Sequence, residues 1–257
     1  MPNPIFHPAV RRTPSRKEPL TVHLRQPPDN ALIERHSHGY GQLAFPVLGG
    51  MRFTAQDMLW IVPMFRAIWL PPGFEHESVM LGKVEFYVVY VDSLIAPLPL
   101  SHCGVIEVSP LMREVIFELA DKPSDTRRHF LLTQLLLEEI GVARPLSLGL
   151  PLPRDRRLKA LCELLMREPA SDRTLKQWAP MAGASERTLA RLFRDELGTS
   201  FAAWRQQLRL ARAVDLMSRG NNLADVAAEI GYSAPAAFST MFKRALGMPP
   251  SRFANSC

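Results

Sequence analysis

Four residues in the amino-terminal half carry donor atoms suited to a single centre: His36, His38, Gln42 and, just after Pro71-Pro72-Gly73, His76. Residues i and i+2 of a strand share a face, so His36 and His38 can converge on one point. Gly73 eases a sharp turn, from which His76 can arrive on a facing strand. Three imidazoles and an amide oxygen would suit Zn, Ni, Mn or Fe. The same four groups can equally line a pocket and hydrogen-bond a small effector, with Tyr40, Phe45, Trp60, Trp69 and Phe86 as its apolar wall. Effector pocket and divalent metal both stay open at this point.

The second concentration of chemistry lies near the carboxyl terminus. One helical stretch presents Glu186, Arg187, Ala190, Arg191 and Arg194, and a later one Pro235, Ala236, Ser239, Thr240 and Lys243. A guanidinium pairs bidentately with guanine, so Arg187 and Arg191 are expected to read bases, and Arg194, further along, to meet phosphate. The later stretch is poor in long polar side chains. It is expected to offer thymine-methyl contacts, a Ser or Thr hydrogen bond and a phosphate contact from Lys243. The first stretch should therefore set sequence specificity and the second mainly add affinity.

These two stretches belong to one unit written twice, Thr174 to Gly198 and Leu223 to Gly247. Leu175 aligns with Leu223, Ala179 with Ala227, Gly183 with Gly231, Ser185 with Ser233 and Phe193 with Phe242. Each copy reads as a short helix, a glycine turn and a second helix opened by serine, which is a helix-turn-helix. Thr174 and Gln177 form a capping box, and Leu189, Leu192, Phe193 and Leu197 supply helical apolar spacing. Pro180 falls inside the first helix of the first copy and should distort it. Between the copies, Ser200 to Ser218 reads as an amphipathic spacer with Phe201, Trp204, Leu208, Ala211, Val214 and Met217 on one side.

Charge agrees with this reading. From Asp155 onward there are 16 Lys and Arg against 10 Asp and Glu, whereas the preceding residues hold 15 of each, so the whole excess of +6 sits on the carboxyl-terminal part. Two helix-turn-helix units, a connecting helix and the terminal run Phe242 to Phe253 resemble the AraC/XylS family of bacterial transcription regulators. The two histidine motifs, with Pro71 to His76, look similar to those of a cupin barrel, the sensor fold of many such regulators. Metal-binding cupins usually carry glutamate where Gln42 stands, and sugar-sensing relatives use the barrel without metal.

At 257 residues, two domains are expected: an all-β cupin-like barrel followed by helices, then an all-α domain with two helix-turn-helix units. The expected boundaries are a mobile proline-rich arm over 1–30, the sensor over 31–105, a helical dimerisation segment over 106–144, a linker over 145–154 and the DNA-binding domain over 155–257. Strands are expected at Leu43 to Val47, Met58 to Val62, Ala67 to Leu70 and Val84 to Val91, separated by Gly49-Gly50 and prolines. Ser109-Pro110 opens one helix. A second, from Arg127, carries Phe130, Leu131, Leu132, Leu135, Leu136 and Ile140, more apolar surface than one face needs, which suggests a homodimer contact or intramolecular packing.

Cys103, Cys162 and Cys257 form neither a disulfide framework nor a zinc spacing, and no apolar run is long enough to span a bilayer, which fits the cytoplasm. No apolar h-region follows Arg11-Arg12, so neither a Sec nor a twin-arginine signal is expected there. The expected partners are promoter or operator duplex DNA, a small-molecule or metal effector, a second copy of the chain and RNA polymerase, with no membrane. Two competing readings are a metal-dependent cupin enzyme with a vestigial DNA-binding domain and a DNA-binding module that senses nothing.

Overall fold

The computed structural model describes residues 3–7, 13–94, 102–120, 122, 126–146 and 148–254. Parts of the expected arm, Arg11-Arg12 among them, and Cys257 lie outside these. The chain divides into two compact units, one of residues 1–55 and 61–147, the other of residues 56–60 and 148–257.

The first unit is built on a sheet. Its strands are β1 (Leu20–Arg25), β2 (Leu32–His36), β3 (Gly41–Ala55), the later part of β4 (Met58–Pro63), β5 (Arg66–Leu70), β6 (His76–Val91), β7 (Gly104–Glu107) and β8 (Pro145–Leu146). The order is β1-β6-β3-β5-β7-β8, with β2 also on β6, and these pairings are antiparallel. Two long strands, β3 and β6, form its spine. Gly49-Gly50, expected to separate two strands, instead lies inside β3, where the register with β6 slips twice between Pro46 and Gly50. Gly49 adopts φ 70° at this bulge. A Cβ there would run into the Lys83 carbonyl and the Val84 side chain.

Two further expectations are corrected. The stretch 1–30 is not an arm throughout: Leu20–Arg25 is β1, paired along its length with β6. No proline interrupts the chain between Pro19 and Pro27, and Leu20 and Val22 are buried. Earlier still, Ile5 makes a parallel bridge to Leu32, with Phe6 N–H donating to the Leu32 carbonyl at 2.8 Å. The linker 145–154 is also partly strand. Pro145–Leu146 pairs with β7 in the first unit, and β9 (Gly149–Pro151) pairs with Met58–Trp60 in the second.

Helices α1 (Pro110–Leu119) and α2 (Arg127–Val142) cover one face of this sheet. Ser109 caps α1, accepting from Met112 N–H at 2.9 Å, and Pro110 occupies the first turn. Met112, Val115, Ile116 and Leu119 from α1 and Leu136 and Ile140 from α2 join Leu20, Val22, Leu43, Phe45, Trp69, Val89 and Val91 in one core. The broad apolar surface of α2 thus divides: Leu136 and Ile140 are buried, whereas Phe130 and Leu131 remain more than half exposed.

The second unit is helical: α3 (Arg156–Arg167), α4 (Leu175–Trp178), a 3-10 turn (Ala179–Ala182), α5 (Glu186–Asp195), α6 (Phe201–Ser218), α7 (Leu223–Glu229), α8 (Pro235–Leu246) and α9 (Pro250–Ala254). The Thr174–Gln177 capping box is present in both directions. Pro180 has the expected effect, since α4 stops at Trp178 and the chain tightens into the 3-10 turn, while α7, without a proline, is a continuous helix. Gly183 and Gly231 both turn the chain with positive φ, 64° and 81°. Ser185 caps α5 through Thr188 N–H, but Ser233 does not cap α8. The N-cap there is Ala234, with Pro235 in the first turn, because the second copy carries one extra residue after its glycine.

The spacer α6 buries more than the single side expected. Trp204 and Leu208 enter the core of α3, α4 and α5, and Leu210, Ala213, Leu216 and Met217 are buried as well. The helix contacts both α7 and α9. Trp204 also donates its Nε1–H to the Pro151 carbonyl at 2.8 Å. Around α8, Tyr232, Phe238, Phe242 and Phe253 follow one another at centroid distances of 6.1, 5.6 and 5.7 Å.

Candidate functional site

The face of the sheet opposite α1 and α2 encloses a cavity of about 400 Å³. Strand pleating decides which side chains reach it. Along β6, His76, Ser78, Phe86, Val88 and Tyr90 line the cavity, while Tyr87, Val89 and Val91 point to the helix-covered core. Gln42 pairs with Tyr90 and lines the cavity beside it.

The four predicted donors do come together. His36 closes β2 directly opposite His76, the first residue of β6. His38 lies two residues beyond the end of β2, in the loop rather than on the strand, and its carbonyl accepts from Gly73 N–H at 2.7 Å. Ring centroids stand 4.4 Å apart for His36 and His76, 5.3 Å for His38 and His76, and 5.8 Å for His36 and His38. One ring nitrogen of each lies within 4.8 Å of the others.

Each imidazole is oriented by the backbone. His36 Nδ1–H donates to the Glu34 carbonyl at 2.8 Å, His38 Nδ1–H to the Tyr40 carbonyl at 2.7 Å and His76 Nδ1–H to the Phe74 carbonyl at 2.9 Å. A carbonyl only accepts, so in all three Nδ1 carries a proton. Burial holds His76 down to about 4 and lowers His38, which keeps both neutral near neutral pH. His38 Nε2 in turn faces the side-chain amide of Gln42 at 2.9 Å. Tyr40 stacks on His38 at 4.4 Å and meets Tyr90 edge-on at 4.8 Å. Burial raises the Tyr40 phenol and pushes Tyr90 up to about 12, so both remain O–H groups.

Of the expected aromatic wall, Tyr40 and Phe86 line the cavity. Phe45 and Trp69 belong to the core under the helices, and Trp60 belongs to the second unit. The cavity also takes in residues not anticipated, namely His7, Arg25, Phe53 and Tyr90. His7 had no visible signal, because proline density masks the short bridge beside it. Tyr90 shares its strand face with Phe86 and was legible by alternation.

In the second unit, Glu186, Arg187, Arg191 and Arg194 are exposed on α5, and Ala190 is half-buried between them. Arg191 is 3.5 Å from Asp195 one turn on. On α8, Pro235, Ala236, Thr240 and Lys243 are exposed and Ser239 is half-buried. Thr240 Oγ1–H donates back to the Ala236 carbonyl at 2.9 Å, and Arg244, not anticipated, is exposed beside Lys243. The opposite sides of both helices are core: Leu189, Leu192 and Phe193 on α5, Phe238, Met241 and Phe242 on α8.

A family model described as a helix-turn-helix domain matches residues 178–256. The chain is 34% identical over 221 residues to the HTH-type transcriptional regulator NimR of Escherichia coli, covering 85% of this chain and 81% of that protein. It is 31% identical over 129 residues to the arabinose operon regulatory protein of Salmonella typhimurium, 49% of this chain and 45% of that one. A solved structure of an AraC-type DNA-binding regulator from Chromobacterium violaceum is similar over 38% of this chain and 89% of its own, at 24% identity and a TM-score of 0.36. Among the described residues no helix is long and apolar enough to cross a membrane.

Proposed function

Because the chain belongs to the AraC-type helix-turn-helix transcriptional regulators, we propose that it is a cytoplasmic, sequence-specific DNA-binding regulator whose cupin-like first unit takes a small effector and thereby controls DNA binding. Membership of a regulator family sets aside the reading as a metal-dependent enzyme. The observation that carries the sensing half is the cavity itself: about 400 Å³, walled by Phe53, Phe86 and Val88, with three convergent imidazoles, of which buried His38 and His76 are neutral, and two protonated phenols. An effector held there acts by binding one conformation or dimer arrangement better than another.

The second unit reads DNA through α5 and α8, the second helices of two helix-turn-helix units, each set in a major groove. Arg187 and Arg191 contact base edges; Arg194 and Lys243 contact phosphate; Pro235, Ala236, Ser239 and Thr240 add shallow contacts. The exposed Phe130 and Leu131 of α2 form the centre of a homodimer contact, and RNA polymerase is a partner when the regulator activates. Selection from a random duplex library by the full-length chain tests the reading. Enrichment of a repeated motif, with affinity that changes when a small molecule fills the cavity, is expected. No enrichment overturns DNA recognition, and enrichment insensitive to every cavity ligand leaves a module that does not sense.

A further inference from the structure

Resting on the reading of α5 and α8 as the helices that meet DNA, we infer that Arg209 of α6 is a positioning residue that sets α8 for phosphate contact once α5 is seated. Its guanidinium clamps the segment entering the first helix-turn-helix to the glycine turn of the second. Arg209 is half-buried in the middle of the spacer helix. Its Nε–H donates to the Pro169 carbonyl at 2.8 Å, and Nη2 donates to the Ser171 carbonyl at 3.0 Å and the Ala170 carbonyl at 3.4 Å. These acceptors lie between α3 and α4, just ahead of the Thr174–Gln177 box. Because α3, α4 and α5 share one core, that segment is fixed relative to α5. On its other side the same guanidinium stands 5.8 Å from the centre of the Tyr232 ring, three residues before α8 begins.

Backbone meets backbone beside this clamp. A Cβ on Gly231 would stand 2.5 Å from the Ala170 carbonyl oxygen and 2.9 Å from Nη2 of Arg209. The positive φ at Gly231 therefore serves a close approach as well as a turn. Neighbouring arginines of α6 each hold one side: Arg205 Nη1–H donates to the Arg173 carbonyl at 2.9 Å, and Arg212 Nη2 to the Glu229 carboxylate of α7 at 2.5 Å. Arg209, between them, reaches both.

The choice of arginine follows from what it grips. The carbonyls of residues 169, 170 and 171 lie outside any helix or strand and need donors from elsewhere. A planar guanidinium supplies several donors in fixed directions, whereas an ammonium on a flexible stem keeps the charge and loses the fork. Losing the fork frees the turn before α8 without removing a cation. A residue that only braced the fold would lower the thermal transition and leave the number of phosphate contacts unchanged.

The test uses the full-length chain and Arg209→Lys, each with and without Lys243→Ala, with affinity for a selected duplex read by fluorescence anisotropy at about 50 and 200 mM salt. One phosphate contact makes affinity fall about 3.5-fold across that interval. Arg209→Lys keeps the charge, yet should reduce the salt dependence by about one such factor, as Lys243→Ala does. Adding Lys243→Ala to Arg209→Lys should then change it by less than about 1.5-fold, where independent sites would add in full. Selectivity between selected and scrambled duplexes should stay within about twofold of wild type, since α5 is untouched. Circular dichroism checks folding, and Tyr232→Leu, which removes only the second grip, is the independent variant and should show the same non-additivity with Lys243→Ala. Wild-type salt dependence in folded Arg209→Lys, or full additivity with Lys243→Ala in both variants, would overturn the clamp. Wild-type selectivity accompanied by that additivity leaves the DNA reading standing, whereas a wild-type chain that binds selected and scrambled duplexes equally removes the reading itself.

Discussion

Replacing Arg187 or Arg191 by alanine should cost discrimination between DNA sequences rather than general affinity for DNA. The two side chains are exposed one turn apart on α5, and four helical residues advance about 6 Å, close to two base-pair steps at about 3.4 Å each. Each can therefore read its own guanine. A bidentate guanine contact is worth about 1 to 3 kcal/mol, or roughly 5- to 150-fold in the ratio of specific to scrambled affinity. Arg191 differs from Arg187 in one respect, its pair with Asp195 at 3.5 Å. Both partners are exposed, so that pair is worth about 0.3 to 0.5 kcal/mol, and Arg191 must release it to reach DNA. Arg191→Ala should thus lose up to about twofold less than Arg187→Ala. Lys243→Ala, in contrast, should weaken all duplexes alike and reduce the salt slope by about one. Fluorescence anisotropy on a selected site and a scrambled one, at several salt concentrations, gives all three numbers. Unchanged selectivity in both arginine variants, or selectivity lost in Lys243→Ala, would refute the assignment of base reading to α5.

Gly49→Ala should destabilise the first unit by more than Gly73→Ala in urea melts. Both glycines have positive φ, which costs a substituted residue about 1 to 2 kcal/mol, but only at Gly49 does a Cβ also meet backbone, whereas around Gly73 nothing lies within 4 Å. Thr174→Ala removes the acceptor of Gln177 N–H at 3.3 Å and should lower the stability of the second unit by about 1 kcal/mol, seen as an earlier thermal transition with the first unit unaffected. Phe130→Glu with Leu131→Glu should leave folding intact, since both side chains are more than half exposed, and shift sedimentation equilibrium toward monomer; an unchanged mass would remove α2 from the dimer contact.

Local chemistry was legible wherever the deciding partner lies within a few residues. The Thr174–Gln177 box, the serine caps at 109 and 185, the turns at Gly183 and Gly231 and the break at Pro180 each depend on neighbours one turn away. Ser233 misled because a single inserted residue moves the cap to Ala234. The four cavity donors were found because their types and spacing are rare together, even though His38 sits off the strand that was to carry it.

What the sequence by itself determined is therefore periodic and local: a basic, duplicated helical half and a β half with convergent histidines. The lining of the cavity was decided only in three dimensions. Gln42 and, after the double slip at Pro46 to Gly50, Met51 and Phe53 face the cavity from the same strand. Their numbers change from even to odd, so simple alternation assigns one half of β3 to the wrong side. Likewise Phe45 and Trp69 became core because α1 and α2 cover their face of the sheet. The side of a sheet a residue occupies follows from its own strand's pleat. Whether that side is cavity or core depends on what packs against it, and that information lies tens of residues away.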